Sequence, residues 1–166
     1  SDQTRFGLTF NFVQGENGVP PVVNYDKNDP FAKKPKYDRT SDLQSYAAQW
    51  AVRHHFNRPL TLKTWAYFNQ QDLTEDRFDD DTYATQDENG AYHTESATQV
   101  VGANAQLQYL FAQKGVLTLG LSSEHDTWQS EGFSIDKKGR NPIDEDQDLQ
   151  IYTAALQYDV SPQEPL

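Results

Sequence analysis

Residues 42–71 read DLQSYAAQWAVRHHFNRPLTLKTWAYFNQQ. Tyr46, Ala48, Trp50, Val52, His54 and Phe56 share one parity, while Ser45, Ala47, Gln49, Ala51, Arg53 and His55 share the other. Alternate side chains of an extended chain point to opposite faces, so this pattern predicts a strand with one apolar face. Asn57-Arg58-Pro59 follows as a short turn. The chain then turns back through Leu60, Leu62, Thr64, Ala66 and Phe68, set against Thr61, Lys63, Trp65, Tyr67 and Asn69. This strand is less cleanly divided, because both faces carry aromatics.

The same alternation recurs on either side. Phe6, Leu8, Phe10 and Phe12 oppose Arg5, Gly7, Thr9 and Asn11. Val101, Ala103, Ala105, Leu107, Tyr109 and Phe111 oppose Gly102, Asn104, Gln106 and Gln108. Leu117, Leu119 and Leu121 oppose Thr118, Gly120, Ser122, Glu124 and Asp126. Tyr152, Ala154, Leu156, Tyr158 and Val160 oppose Thr153, Ala155, Gln157 and Asp159. None of these windows places apolar residues at the i, i+3, i+4, i+7 spacing of a helix, and Thr, Val, Tyr and Phe favour strands. The reading is all-β, with about six long antiparallel strands.

The connections fall into two alternating classes. Asn57–Pro59, Ala112–Gly115 and Ser161–Pro165 are short. Residues 15–41, 79–93 and 133–147 are long and carry Gly, Pro, Asn and Asp, which predicts loops there. Two unequal rims describe an up-and-down meander. In bacterial outer-membrane barrels the short turns are periplasmic and the long loops extracellular. The strands also exceed the ~9–11 residues that cross a bilayer, whereas strands of soluble proteins usually have ~5–6. Phe56, Tyr109, Phe111 and Tyr158 stand beside the short turns, at the level where aromatic rings favour a membrane interface.

Composition agrees. Hydrophobic residues make up only 36% of the 166 residues, yet aromatics make up 13%. A wall that is apolar on one side needs only half of each strand to be apolar. No apolar run approaches the ~20 residues of a transmembrane helix. The chain holds no cysteine, so it has no disulfide or thiol chemistry. A net charge of −11 argues against nucleic acid as a partner. Residues 72–88 hold eight acids against Arg77 alone, and residues 124–148 hold eight against Lys137, Lys138 and Arg140.

The paired segments DLQSYAAQWAVRHHFNRPLTLKTWAYFNQQ and ATQVVGANAQLQYLFAQKGVLTLGLSSEHD carry a resemblance. Each has a strand ending in an aromatic, a very short turn and a long rising strand. This layout resembles the barrel of TonB-dependent outer-membrane receptors, over most of the chain from Asp42 onward. The resemblance implies a transmembrane, up-and-down β-barrel segment, about a quarter of such a barrel. Residues 1–166 would form that single segment, with no plug domain visible. It further implies uptake of a scarce solute such as a ferric siderophore, driven indirectly by TonB. Outer-membrane lipid, lipopolysaccharide, the rest of the barrel and a plug would be the partners. Six strands are fewer than the eight of the smallest bacterial barrels, so the chain is expected to be part of a longer polypeptide. A passive porin-like channel or structural barrel is the alternative, and a soluble antiparallel β-sheet binding protein a further one.

Candidate site residues follow from parity. Tyr67, Asn69, Gln71 and Trp128 are expected on the upper lumen, facing a ligand, and Arg53 and Lys63 on the lower lumen, facing a plug. His54 and His55 are adjacent on a strand and point apart, so they share no metal. Asp79-Asp80-Asp81 and Asp144-Glu145-Asp146 offer oxygen ligands but lack EF-hand spacing and read as solvated loop charge. No nucleophile elbow, phosphate-binding glycine loop or zinc spacing occurs, and Glu124 and Asp126 read as lumen lining. The chain is therefore not expected to be an enzyme, and no cofactor or metal is expected.

Overall fold

The computed structural model describes residues 3–18, 36–111 and 115–160. They form six strands: β1 (Thr4–Gly18), β2 (Tyr37–His55), β3 (Leu60–Phe78), β4 (Tyr92–Leu110), β5 (Val116–Asp136) and β6 (Gly139–Asp159). The strands make one sheet in sequence order, each antiparallel to the next. The meander expected from the sequence is thus present. The sheet is open, with β1 and β6 at its edges.

Register aligns the parities from strand to strand. Phe10, Ala48, Phe68 and Val101 stand in one row, and Phe6, Val52, Thr64, Ala105, Leu121 and Ala154 in another. All six apolar stripes therefore lie on the same face. A one-residue slip anywhere would turn a whole stripe over, so the shared face is a strong constraint on pairing. The opposite, polar face carries Thr9, Gln49, Tyr67, Gly102 and Glu124 in one row.

The sheet has one layer and almost no core. Ala91 is the only buried hydrophobic residue among the described residues. Phe6, Leu8, Phe10, Trp50, Leu121, Tyr152 and Leu156 are all exposed, Leu8 at 79%. Val13, Leu149 and Ile151 are exposed apolar residues of the other face.

Two features shape the upper part. One bulge on β2, around Asp42, interrupts the register with both neighbours: the step from Gly15 to Asn17 on β1 faces Leu43 to Thr40, and the step from Ser41 to Gln44 faces Thr74 to Asp72 on β3. Asp42, inside it, adopts a left-handed φ of 51°. The bulge sits just beyond the last apolar row, and an inserted residue there sharpens strand twist. Above it Asp38 of β2 accepts two hydrogen bonds from Arg77 of β3, at 2.6 and 3.1 Å. Arg77 also lies 5.0 Å from the centre of the Tyr92 ring on β4.

The connections partly depart from expectation. Asn57–Pro59 is the short turn foreseen, closed by Phe56 N–H donating to Leu60 O at 3.1 Å. Ala112–Gly115 is short too, with Phe111 N–H bonded to Gly115 O at 2.9 Å, although residues 112–114 lie outside the described residues. Residues 19–35 and 161–165 also lie outside them, so those expected connections are not described. Residues 79–91 do form a longer loop.

The expected long loop over residues 133–147 is a correction. β5 and β6 pair through this region down to Asp136 opposite Gly139, and Lys137-Lys138 alone make the turn. Asp144-Glu145-Asp146 is consequently strand, not loop. The alternation of Phe133 and Ile135 there is brief, and the polar, turn-forming residues 136–142 outweigh it, so no sustained apolar alternation marks the strand. Cross-strand backbone hydrogen bonds hold it together with Arg140, whose guanidinium lies 3.5 Å from the centre of the Phe133 ring, and Gly139 takes the positive φ of 123° that the tight turn needs.

Candidate functional site

The polar face is where the expected site residues fall. Tyr67, Asn69 and Gln71 alternate along β3 and point to this face. Gln71 shares a row with Thr98 and Trp128, so Trp128 joins the same patch from β5. Asn69 lies in the row of Val100 and Asp126, and Tyr67 in that of Gly102 and Glu124. Four residues spread over 62 positions of sequence, from 67 to 128, thus occupy three neighbouring rows.

Tyr67 is the most constrained of them. Its ring lies across Gly102, and its hydroxyl donates to the Glu124 carboxylate two strands away. A Cβ at position 102 would stand 2.7 Å from Tyr67 Cε1 and nearer still to Cζ and the hydroxyl. The glycine makes room for the ring, and the ring covers the backbone the glycine leaves bare. Neither Gly102 nor the role of Glu124 was singled out from sequence. The available signal was a lone glycine inside a strand, which marks a close approach but not the side chain that approaches.

Arg53 and Lys63 are direct register partners on the polar face, nearer the short turns. Arg5 of β1 stands opposite Arg53 in the same row. Sequence parity put Arg5 on the right face but did not bring it to the other two.

The histidines remain apart. His54 Nδ1 shares a hydrogen bond with Thr4 Oγ1 at 2.7 Å on the apolar face, and His55 Nδ1 shares one with Thr61 Oγ1 at 2.9 Å on the polar face. His93 donates to Asp76 at 2.7 Å, beyond the apolar rows. Hydrogen bonding to Asp76 raises the His93 pKa above its ordinary value, against a smaller opposing effect of burial. Among the described residues no group of three or more His, Asp or Glu could hold a metal ion.

The loop over residues 79–91 is organised by one carboxylate. Asp79 accepts hydrogen bonds from the backbone N–H groups of Asp87 at 2.8 Å and Glu88 at 2.9 Å. The Asp87 bond, and then the Glu88 bond, hold its pKa below the usual carboxylate value. Tyr83, with φ at 54°, packs edge-on against Phe78 at 5.5 Å and Tyr37 at 6.2 Å.

Comparison with protein-family models, with curated proteins and with solved structures finds no match for this chain.

Proposed function

We propose that the six strands are a section of the wall of an outer-membrane β-barrel that moves a solute across the membrane. One observation carries the reading: a single-layer sheet whose aligned apolar face carries exposed large apolar side chains on five of its six strands. A sheet with one apolar face is stable only when that face is covered. Hydrocarbon is the cover that also explains the rest of the pattern.

Aromatic side chains border the apolar band on both sides. Tyr109, Phe111 and Tyr158 cluster at the short-turn end, with ring centres 4.7 and 6.2 Å apart. Phe12 and Tyr46 meet at 5.1 Å at the other end. Such girdles mark the two interfaces of membrane barrels. On β2 the band runs from Tyr46 to Phe56, ten residue steps, or about 33 Å along a strand. At the usual barrel tilt this covers about 25 Å of membrane.

The band is also oblique to the rows. Its upper limit is Phe12 on β1, whose row reaches Asp148 on β6, but on β6 the band stops at Tyr152. Its lower limit shifts the same way, from the Phe6 row at Ala154 to Tyr158, the last residue of that parity within β6, and on to Val160 just beyond it. Four residues of drift over five strand spacings is about 13 Å in about 24 Å, an inclination of roughly 30°. Strands of transmembrane barrels tilt by ~35–45°. A horizontal hydrocarbon layer crossing tilted strands produces such a drift, and a second protein sheet stacked on the face has no need of one.

The polar face then borders an aqueous interior, and Tyr67, Asn69, Gln71 and Trp128 are its solute-facing residues. The layout of turns and strands favours a TonB-dependent receptor over a passive channel. Further strands and a plug would complete the barrel, because open edges in lipid leave backbone groups unsatisfied at several kcal/mol each. Detergent dependence tests the wall: the chain is expected to be monodisperse only in detergent or lipid. Monodisperse behaviour in plain buffer would defeat the reading. Ion conductance of the parent protein in planar bilayers, steady and plug-free, would favour the passive channel.

A further inference from the structure

The polar face holds a row of three cations. Arg5 of β1 stands opposite Arg53 of β2, and Arg53 opposite Lys63 of β3. Neighbouring strands lie ~4.8 Å apart, so the three backbone positions span about 10 Å. Like charges placed directly opposite one another destabilise a strand pair. Among the described residues none of the three makes an ion pair. Neither their row nor the rows on either side hold an acid on this face. Glu124, two rows above, is engaged by the Tyr67 hydroxyl. In a chain of net charge −11, three adjacent cations with no carboxylate beside them among the described residues are a marked exception.

The same residues border a recess of about 340 Å³, shared with Gly7, Ala51 and Trp65. Gly7, Ala51 and Trp65 form the next row, so two small side chains leave the floor open and an indole forms one wall. That volume lies at the small end of ligand sites, which run ~300–1,000 Å³. It suits a single ring with its substituents.

The geometry points to a binding site for a small, planar organic anion whose carboxylate or phosphate groups are held by Arg5, Arg53 and Lys63, with its body against Trp65. A guanidinium presents two parallel N–H donors to an oxyanion, while the Lys63 ammonium adds a point charge. The bound anion supplies the countercharge that these rows lack. The site deepens the solute-transport reading by naming a class of solute, and it rests on that reading in taking this face to border water.

Tryptophan fluorescence of the complete barrel that includes these strands, folded in detergent, provides the test. The ligands are benzene-1,2,4-tricarboxylate, phenyl phosphate and neutral benzamide. One or both anions are expected to give a saturable change, and benzamide none; the two anion arms tell carboxylate from phosphate. Arg53→Gln is expected to weaken binding at least tenfold, Arg53→Lys less, and Trp65→Phe to remove the optical signal. In anion-free buffer Arg53→Gln is also expected to raise the urea midpoint, because repulsion is relieved. A residue kept only for packing would lower it. Should Arg53→Gln not fold, as judged by far-UV circular dichroism, Arg5→Gln on the edge strand gives the same tests. No saturable response to either anion, an equal response to benzamide, or wild-type affinity in these variants would overturn the site. A null titration of the detergent-folded barrel defeats the anion site alone, whereas a protein soluble without detergent defeats the wall reading and leaves the titration to be run in buffer.

Discussion

The ring of Tyr67 lies across Gly102 on the neighbouring strand, in space that no other residue type could leave free. Through its hydroxyl the same side chain reaches Glu124, so one residue ties β3, β4 and β5 together. A cross-strand contact of this kind fixes register more firmly than backbone pairing alone.

Gly102→Ala should therefore destabilise the sheet by about 1–3 kcal/mol, the usual cost of overpacking. Tyr67→Ala in the same chain should recover part of that loss, because the obstructing ring is gone. Urea unfolding of the two single variants and the double variant measures the coupling. Strict additivity would show that the ring does not sit where the methyl group must go.

The two faces should respond differently to charge. Leu121→Arg, in the middle of the apolar band, is expected to cost about 2–4 kcal/mol when the chain folds into lipid. Ser122→Arg, the next residue and on the polar face, should cost well under 1 kcal/mol by the same argument. Folding into vesicles, followed by gel mobility and denaturant titration, compares them. Equal costs would mean that the apolar face does not meet hydrocarbon.

The Asp38–Arg77 pair is bidentate and capped by the Tyr92 ring. Side chains of the pair are 21% and 29% exposed, so solvent screening limits its worth to about 1 kcal/mol. Arg77→Lys keeps the charge but loses the second parallel hydrogen bond and the flat stacking surface. Most of the effect of Arg77→Ala should already appear in Arg77→Lys. Hydrogen exchange at the upper ends of β2, β3 and β4 reads it out.

His93 introduces a pH dependence at the upper part of the β3–β4 pair. Its folded pKa is raised, chiefly by the hydrogen bond to Asp76. The extra stability is fully present below the unfolded value of ~6.5, and it is lost as pH rises through the higher folded value. Arg39 stands opposite Asp76 in the row and Glu95 lies 3.4 Å from the other ring nitrogen, so the window also feels their charges. Amide exchange near Asp76 and His93 should speed up on passing from pH 6 to pH 8 beyond its intrinsic rise, and His93→Gln should abolish the excess.

Asp79 sets the opposite dependence for the loop. Its pKa is lowered by the two backbone N–H groups it accepts. Its contribution is present above the unfolded carboxylate value of ~3.9 and vanishes as pH falls through the lower folded value. Asp79→Ala should release the amides of Asp87 and Glu88 to exchange at neutral pH and open residues 79–91 to proteolysis. Retained protection at both amides would show that the carboxylate does not organise the loop.

Much of this fold is legible in the chain itself. The stripes Phe6–Phe12, Tyr46–Phe56 and Leu60–Phe68 mark their strands because apolar and polar residues alternate. Residues 133–147 escaped, because above the apolar band the alternation shrinks to Phe133 and Ile135 and the turn-forming residues after them outweigh it. The bulge at Asp42 was equally hidden, since nothing apolar records the change of phase there.

The sequence by itself determined which side chains share a face along each unbroken stretch of strand. That follows from the covalent geometry of an extended chain, in which parity is fixed residue by residue. It placed Tyr67, Asn69, Gln71, Trp128, Arg53 and Lys63 on one side with no knowledge of neighbours. Only the tertiary structure decided which of them meet. Register between strands is set by turn length, bulges and backbone hydrogen bonds, none of which is written at the positions concerned. That register lays Tyr67 over Gly102, joins it to Glu124, and draws Arg5 into line with Arg53 and Lys63.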